Sequence, residues 1–135
     1  VARLIYLLDT NVISDYLNQV FDLERFNRAI AAGDRVCLCH PVYYESLRGL
    51  LKAKATRKLD VFHSRLIPML EWVEMRSSDW EQAARLWADA VSRGKQLSDV
   101  DLLIASIALR QNAIIVSSDA DFDAFPIKRE SWRKL

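Results

Sequence analysis

The stretch Leu4-Ile5-Tyr6-Leu7-Leu8, followed at once by Asp9-Thr10-Asn11, decides how the rest of the chain reads. Five apolar residues without alternation mark a strand covered on both faces. Such cover comes from helical crossovers, so the run points to a parallel sheet rather than a half-exposed hairpin. Asp, Thr and Asn are helix-capping residues and predict a helix starting near Val12.

Outward from there the pattern repeats. Leu23, Phe26, Ala29 and Ile30 share one helical face, and Gly33-Asp34 closes that helix. Val36-Cys37-Leu38-Cys39 reads as a second buried strand. Pro41 suits the first turn of the next helix, with Tyr43, Leu47 and Leu50 as its apolar stripe and Glu45 nearly opposite, beside Arg48 and Lys52. Thr56 is expected to cap a further helix with Leu59, Phe62, Leu66 and Leu70 inward, and Pro68 to bend or end it. Glu71 to Met75 alternates like a short, half-exposed strand. Ser78 or Asp79 should cap a helix whose inner face is Trp80, Ala83, Ala84, Trp87 and Val91, stopped by Gly94. Ser98 caps another that is apolar almost all round from Leu102 to Leu109, hence deeply buried. Ala113-Ile114-Ile115-Val116 is a fourth buried strand, and a last one is expected around Ile127. This alternation predicts a single α/β domain over residues 1–135. Its expected architecture is a three-layer α/β/α sandwich around a mainly parallel sheet of about four to five strands.

The totals fit an ordinary globular protein: 135 residues, 51% apolar and 27% charged. A net charge of +1 excludes a protein that coats nucleic acid by bulk charge, though not a local basic groove. No apolar run approaches the ~18 residues of a membrane span. Val1-Ala2-Arg3 leads straight into the first strand without a signal-peptide core, so a cytoplasmic location is expected. The absence of an initiator Met reads as a processed or trimmed N-terminus. Cys37 and Cys39 point to one face of a strand and are expected to be buried thiols, because no second Cys/His pair offers zinc spacing beside His40. His63 receives no role. There is no Gly-rich phosphate loop and no G-x-S-x-G nucleophile elbow.

Four acids remain: Asp9, Glu45, Asp101 and Asp119, each where a strand ends or a helix begins. In a parallel sheet with helical crossovers, sites form beyond the carboxyl ends of the strands. Asp9 and Asp119 follow the first and fourth strands. Glu45 lies near the start of the helix after the second. Asp101 opens the helix that runs back before the fourth strand, so it starts at the same edge. Each acid alone has a plainer explanation. Asp9 can be a cap, Asp101 with Ser98 has capping-box spacing, Glu45 can pair with Arg48, and Asp119, Asp121 and Asp123 can be loop acids. Together they would raise one another's pKa unless a cation lay between them. Oxygen ligands without convergent Cys or His favour Mg²⁺ or Mn²⁺, one ion or two. The chemistry such a site supports is attack of an activated water on a phosphodiester.

The motifs resemble those of a known family. Leu7-Leu8-Asp9-Thr10-Asn11-Val12-Ile13 is similar to the opening motif of PIN-domain ribonucleases. Asp101-Leu102-Leu103-Ile104-Ala105-Ser106 resembles their third acidic motif, with Ser for a usual Ala. Val116-Ser117-Ser118-Asp119-Ala120-Asp121-Phe122 resembles the fourth, with Ser117 where Thr is common, and Glu45 falls at the second acid. Small proteins of this kind are most often VapC-type toxins of bacterial toxin–antitoxin pairs. The resemblance implies a PIN-like fold, Mg²⁺- or Mn²⁺-dependent endoribonuclease activity, an RNA substrate, a small antitoxin partner and a homodimer. It implies Asp9, Glu45, Asp101 and Asp119 as the acidic quartet, with Asn11 and Ser117 orienting it. The choice of Asp119 over Asp121 follows from the motif match. Among the basic residues near Glu45 (Arg48, Lys52, Lys54, Arg57 and Lys58), Arg48 and Lys52 are the candidates for guiding RNA phosphates. Tyr43, Tyr44 and the four Trp residues are expected mainly in the core. The rival readings are a PIN-like RNA- or protein-binding module without catalysis, and a phosphoacceptor receiver domain. The latter would want adjacent acids after the first strand, where Asp9-Thr10-Asn11 stands.

Overall fold

The buried run becomes the middle of the sheet. In the computed structural model, which describes residues 3–134, β1 (Ile5–Leu8) is hydrogen-bonded on both sides. Among these residues the sheet has five strands in the order β3-β2-β1-β4-β5, all parallel. The others are β2 (Arg35–Cys39), β3 (Glu71–Val73), β4 (Ile114–Val116) and β5 (Arg129–Glu130). Helices α1 (Thr10–Leu17), α2 (Leu23–Ala31), α3 (His40–Lys52), α4 (Thr56–Val61), α5 (Ser77–Ser92) and α6 (Asp99–Gln111) flank it as an α/β/α fold. Val1, Ala2 and Leu135 lie outside the described residues, and with Val1 and Ala2 the reading of a trimmed N-terminus. No helix among the described residues is long and apolar enough to cross a membrane.

Leu7, Leu8, Val36 to Cys39 and Ile114 to Val116 form the buried floor, covered by α6, where Leu102 to Ala108 are all buried. Cys37 and Cys39 are free, buried thiols. Burial pushes them up to about 11 and about 12, which keeps both unreactive at neutral pH.

Several elements depart from the sequence expectation. The buried face of α3 is Pro41, Val42 and Ser46, while Tyr43, Leu47 and Leu50 are only half-buried. Thr56 lies inside α4 rather than capping it, and the helix widens into a π turn (Phe62–Leu66) before tightening into a 3₁₀ turn (Ile67–Met69) at Pro68. Arg76, not Ser78 or Asp79, is the N-cap of α5; Asp79 instead accepts the Arg76 N–H at 2.8 Å. The predicted inner face of α5 is largely outside: Trp80 is 58% exposed and Trp87 52%, and Val91 is exposed too. Ala83 and Ala90 point inward. Trp72 and Tyr44 are also exposed, whereas Trp132 is buried. Ile127 precedes the last strand instead of lying in it.

Two ion pairs lock the helices and the tail to this frame. Buried Asp79 takes Arg110 Nε at 2.8 Å and its second nitrogen at 3.0 Å, joining α5 to α6. Buried Asp15 takes Arg133 at 3.1 Å, and Phe21 and Arg133 form an antiparallel bridge that closes the tail over α1.

Candidate active site

Because the strands are parallel, their carboxyl ends share one edge, and the chain turns there into α1, α3 and the segment after β4. The pairing Leu8↔Val116 sets Asp9 and Ser117 side by side at that edge. Asp9 is the N-cap of α1, and its Oδ1 accepts the Thr10 N–H at 2.7 Å. The second oxygen does something a cap does not require. Asp9 Oδ2 accepts from Ser117 Oγ at 2.8 Å and from Asn11 Nδ2 at 3.1 Å. The Ser117 hydroxyl in turn accepts from Asn11 Nδ2 at 3.0 Å and from the Asp119 N–H at 3.0 Å. Asn11 and Ser117 thus fix the orientation of a carboxylate that is only 4% exposed.

Asp101 sits in the first turn of α6, where its backbone N–H donates to Ser98 Oγ at 3.1 Å. Asp119 is half-buried and accepts the Asp121 N–H at 2.9 Å, opening a 3₁₀ turn (Ala120–Ala124). Asp121 is exposed and Asp123 pairs with Arg129 at 2.9 Å. Glu45, half-buried on α3, lies 3.6 Å from the Arg48 guanidinium.

Asp9 and Asp101 both feel the charges of Glu45 and Asp119. Burial pushes the Asp101 carboxyl up to about 6, with the charges of Asp9, Asp119 and Glu45 adding and the Ser98 hydrogen bond opposing. Burial also raises Asp9; hydrogen bonds from Ser117 and Thr10 hold it back, and the charges of Glu45 and Asp119 raise it further. Among the described residues, however, no group of three or more His, Cys, Asp or Glu side chains stands ready to hold a metal ion. The two findings differ in range. Charge coupling in a low-dielectric pocket reaches well past the ~2.0–2.1 Å of a Mg²⁺ ligand bond. The all-oxygen, charge-stressed donor set fits a hard divalent cation.

The basic residues divide. Arg48 stacks 5.1 Å over the Tyr44 ring while it faces Glu45. Lys52 and Lys54 are exposed. Arg57 and Lys58 line a hollow of about 580 Å³ near Tyr16 and Phe21 whose lining includes none of the four acids, and Lys58 donates to Asn18 Oδ1 at 2.8 Å. His63 contacts the Tyr43 hydroxyl at 3.2 Å and the Leu59 carbonyl at 3.2 Å.

Sequence reasoning missed Arg129, which donates to the Ser117 carbonyl at 3.1 Å and feels the charge of Asp119. No pattern flags it, because a two-residue strand has no periodicity. The unpartnered hydroxyls of Thr10 and Ser46 were missed too.

The PIN-domain family profile matches residues 6–128. The chain belongs to the PIN-domain family. Ribonuclease VapC2 of Rickettsia felis is 29% identical to this PIN domain over 138 residues, covering 97% of this chain and 100% of the relative. Ribonuclease VapC11 of Mycobacterium tuberculosis is 33% identical over 91 residues, 66% of this chain and 65% of the relative. In solved structures, DNA-bound VapBC from Salmonella typhimurium superposes with a TM-score of 0.82 at 24% identity, over 96% of this chain and 98% of that one. VapBC2 from Rickettsia felis, bound to a fragment of promoter DNA, gives 0.77 at 26% identity, over 96% and 99%.

Proposed function

We propose that this PIN domain is a divalent-metal-dependent endoribonuclease and the toxin of a toxin–antitoxin pair. The observation that carries the reading is that Asp9 and Asp101, raised first by burial, both feel the charges of Glu45 and Asp119, with Asp101 pushed up to about 6. Carboxylates raised by burial and by neighbouring like charge cluster at functional sites. The relatives named as VapC ribonucleases, and the solved VapBC complexes, support the substrate class and the antitoxin partner.

In this proposal Asp9 and Asp101 are the principal ligands of Mg²⁺ or Mn²⁺, and Glu45 and Asp119 complete the acidic set. Such an ion, when bound, supplies Lewis-acid activation of water and offsets charge on the phosphoryl group. Asn11 and Ser117 occupy both lone pairs of Asp9 Oδ2 and fix the carboxylate, so the lone pair left on Oδ1 beside the Thr10 N–H keeps one direction. Arg48 and Lys52 guide the RNA backbone by charge toward that edge. A homodimer belongs to the same proposal: the uncovered α5 stripe of Trp80, Trp87 and Val91 is an apolar face of the sort a second copy buries.

The binding-module reading differs in one measurable respect. Purified protein free of any antitoxin is incubated with single-stranded RNA in Mn²⁺ and in EDTA. Cleavage in Mn²⁺ alone, lost in Asp9→Asn and Asp101→Asn, is expected. RNA binding without cleavage would leave only the binding module.

A further inference from the structure

The guanidinium of Arg129 makes three directed hydrogen bonds, one from each nitrogen. Nε and Nη2 grip the Asp123 carboxylate at 2.9 and 3.0 Å, and Nη1 donates to the Ser117 carbonyl at 3.1 Å. In the sheet Arg129 stands beside Ile115, so its side chain extends two residues further along β4, roughly 6–7 Å toward the carboxyl edge. Neither partner is one of the four acids, but together they bracket one. Ser117 comes before Asp119 in the chain and Asp123 after it. One side chain of the neighbouring strand thus closes the loop that carries Asp119 into a ring. Ties inside the loop complete it: the Asp119 N–H donates to Ser117 Oγ at 3.0 Å, and Asp119 Oδ1 accepts the Asp121 N–H at 2.9 Å. Phe122, buried in the core, anchors the turn.

Stability is a weak reason for this arrangement. Asp123 is exposed, and an ion pair open to solvent contributes little to folding while the long arginine loses rotamer freedom. Its geometry suits another task. A bidentate arginine–carboxylate contact fixes relative orientation as well as distance. Asp123 also neutralises the guanidinium, so the loop is held without a free positive charge beside the acids. We propose that Arg129 is a positioning residue: by gripping Ser117 and Asp123 it holds the Asp119 carboxylate ready for the divalent cation. The proposal rests on the metal site put forward above, with Asp119 as one of its acids. What the grip supplies is metal affinity, not folding.

Calorimetric titration of the full, metal-free chain with Mn²⁺, in the absence of RNA, tests this. Arg129→Gln should bind Mn²⁺ about tenfold more weakly, the usual loss when a partner of a metal ligand is removed. Arg129→Lys keeps the charge but not the fork, and should bind no better. Asp123→Ala should be at least as weak as Arg129→Gln, because the released guanidinium keeps its charge near Asp119 and competes with the cation. Melts in EDTA should stay within a few degrees of wild type. Asp119→Asn should weaken binding by itself, and adding Arg129→Gln to it should weaken it no further, since the two act through one carboxylate. In RNA cleavage, excess Mn²⁺ should restore the kcat of Arg129→Gln with KM unchanged. Wild-type Mn²⁺ affinity in Arg129→Gln or in Asp123→Ala, or a second tenfold loss on the Asp119→Asn background, overturns the proposal. A weakened Asp119→Asn beside an unchanged Arg129→Gln sinks the grip alone; Asp119→Asn with wild-type affinity removes Asp119 from the metal site, and the grip with it.

Discussion

Replacing Asp101 by Asn should make the metal-free protein more stable while abolishing its response to metal. The change keeps the volume of the side chain and leaves the Asp101 N–H to Ser98 Oγ bond in place, so what it removes is charge. A carboxyl moved from its ordinary 3.8 to about 6 corresponds to roughly 3 kcal/mol of strain on the ionised form. The group is half-buried, and screening by solvent reduces that to about 1–2 kcal/mol. The sign follows from where the proton is held more tightly. Asp101 keeps its proton in the folded state to a higher pH than in the unfolded state. It therefore favours folding below its ordinary 3.8, loses that contribution as pH rises toward about 6, and is a net cost above it. In EDTA near neutral pH, Asp101→Asn should melt about 3–6 °C above wild type. The gap should vanish near the ordinary pKa of the carboxyl. With Mn²⁺ at a hundredfold its Kd the wild type gains about 2.7 kcal/mol and the variant much less, so the order of midpoints inverts. Thermal melts by circular dichroism across this grid of pH and metal check it. A variant no more stable than wild type in EDTA, or equal Mn²⁺ stabilisation of both, would refute the linked-acid site.

Four further outcomes are expected. Ser117→Ala removes the 2.8 Å bond to Asp9 Oδ2, which lets the Asp9 carboxyl rise further; cleavage should fall about 10–100-fold, and the acid limb of its pH profile should move to higher pH. Arg110→Ala leaves Asp79 buried without its partner and should cost about 3–5 kcal/mol in urea unfolding, with the metal response retained. Arg48→Ala and Lys52→Ala, if each removes one phosphate contact, should each reduce the slope of log affinity for RNA against log salt by about 0.7, without moving the metal-induced midpoint shift. Trp87→Glu places a charge in the exposed α5 stripe and should convert a dimer to a monomer in sedimentation; a wild type already monomeric at working concentration would dismiss that interface.

Strands β1 and β2 and helix α6 were legible because their burial leaves unbroken apolar runs, which few other structures produce. The shared edge of the acids was legible for a different reason: in a parallel sheet, chain direction alone decides which ends meet. Helix α5 shows where that logic stops. Its period places Trp80, Ala84, Trp87 and Val91 on one face, but a period reports that a face is apolar and not what lies against it. In α3 the sequence stripe lost to Val42 and Ser46, because a serine on the inner face carries no apolar signature. The same holds more sharply within the site. Asn11 and Ser117 are 106 residues apart in the chain, and only the register Leu8↔Val116 brings them to one carboxylate. A sequence records which donors and acceptors a chain carries; whether each finds a partner is settled by packing. The hydroxyls of Thr10 and Ser46 are ordinary on paper, and only the packing shows both buried without a protein partner.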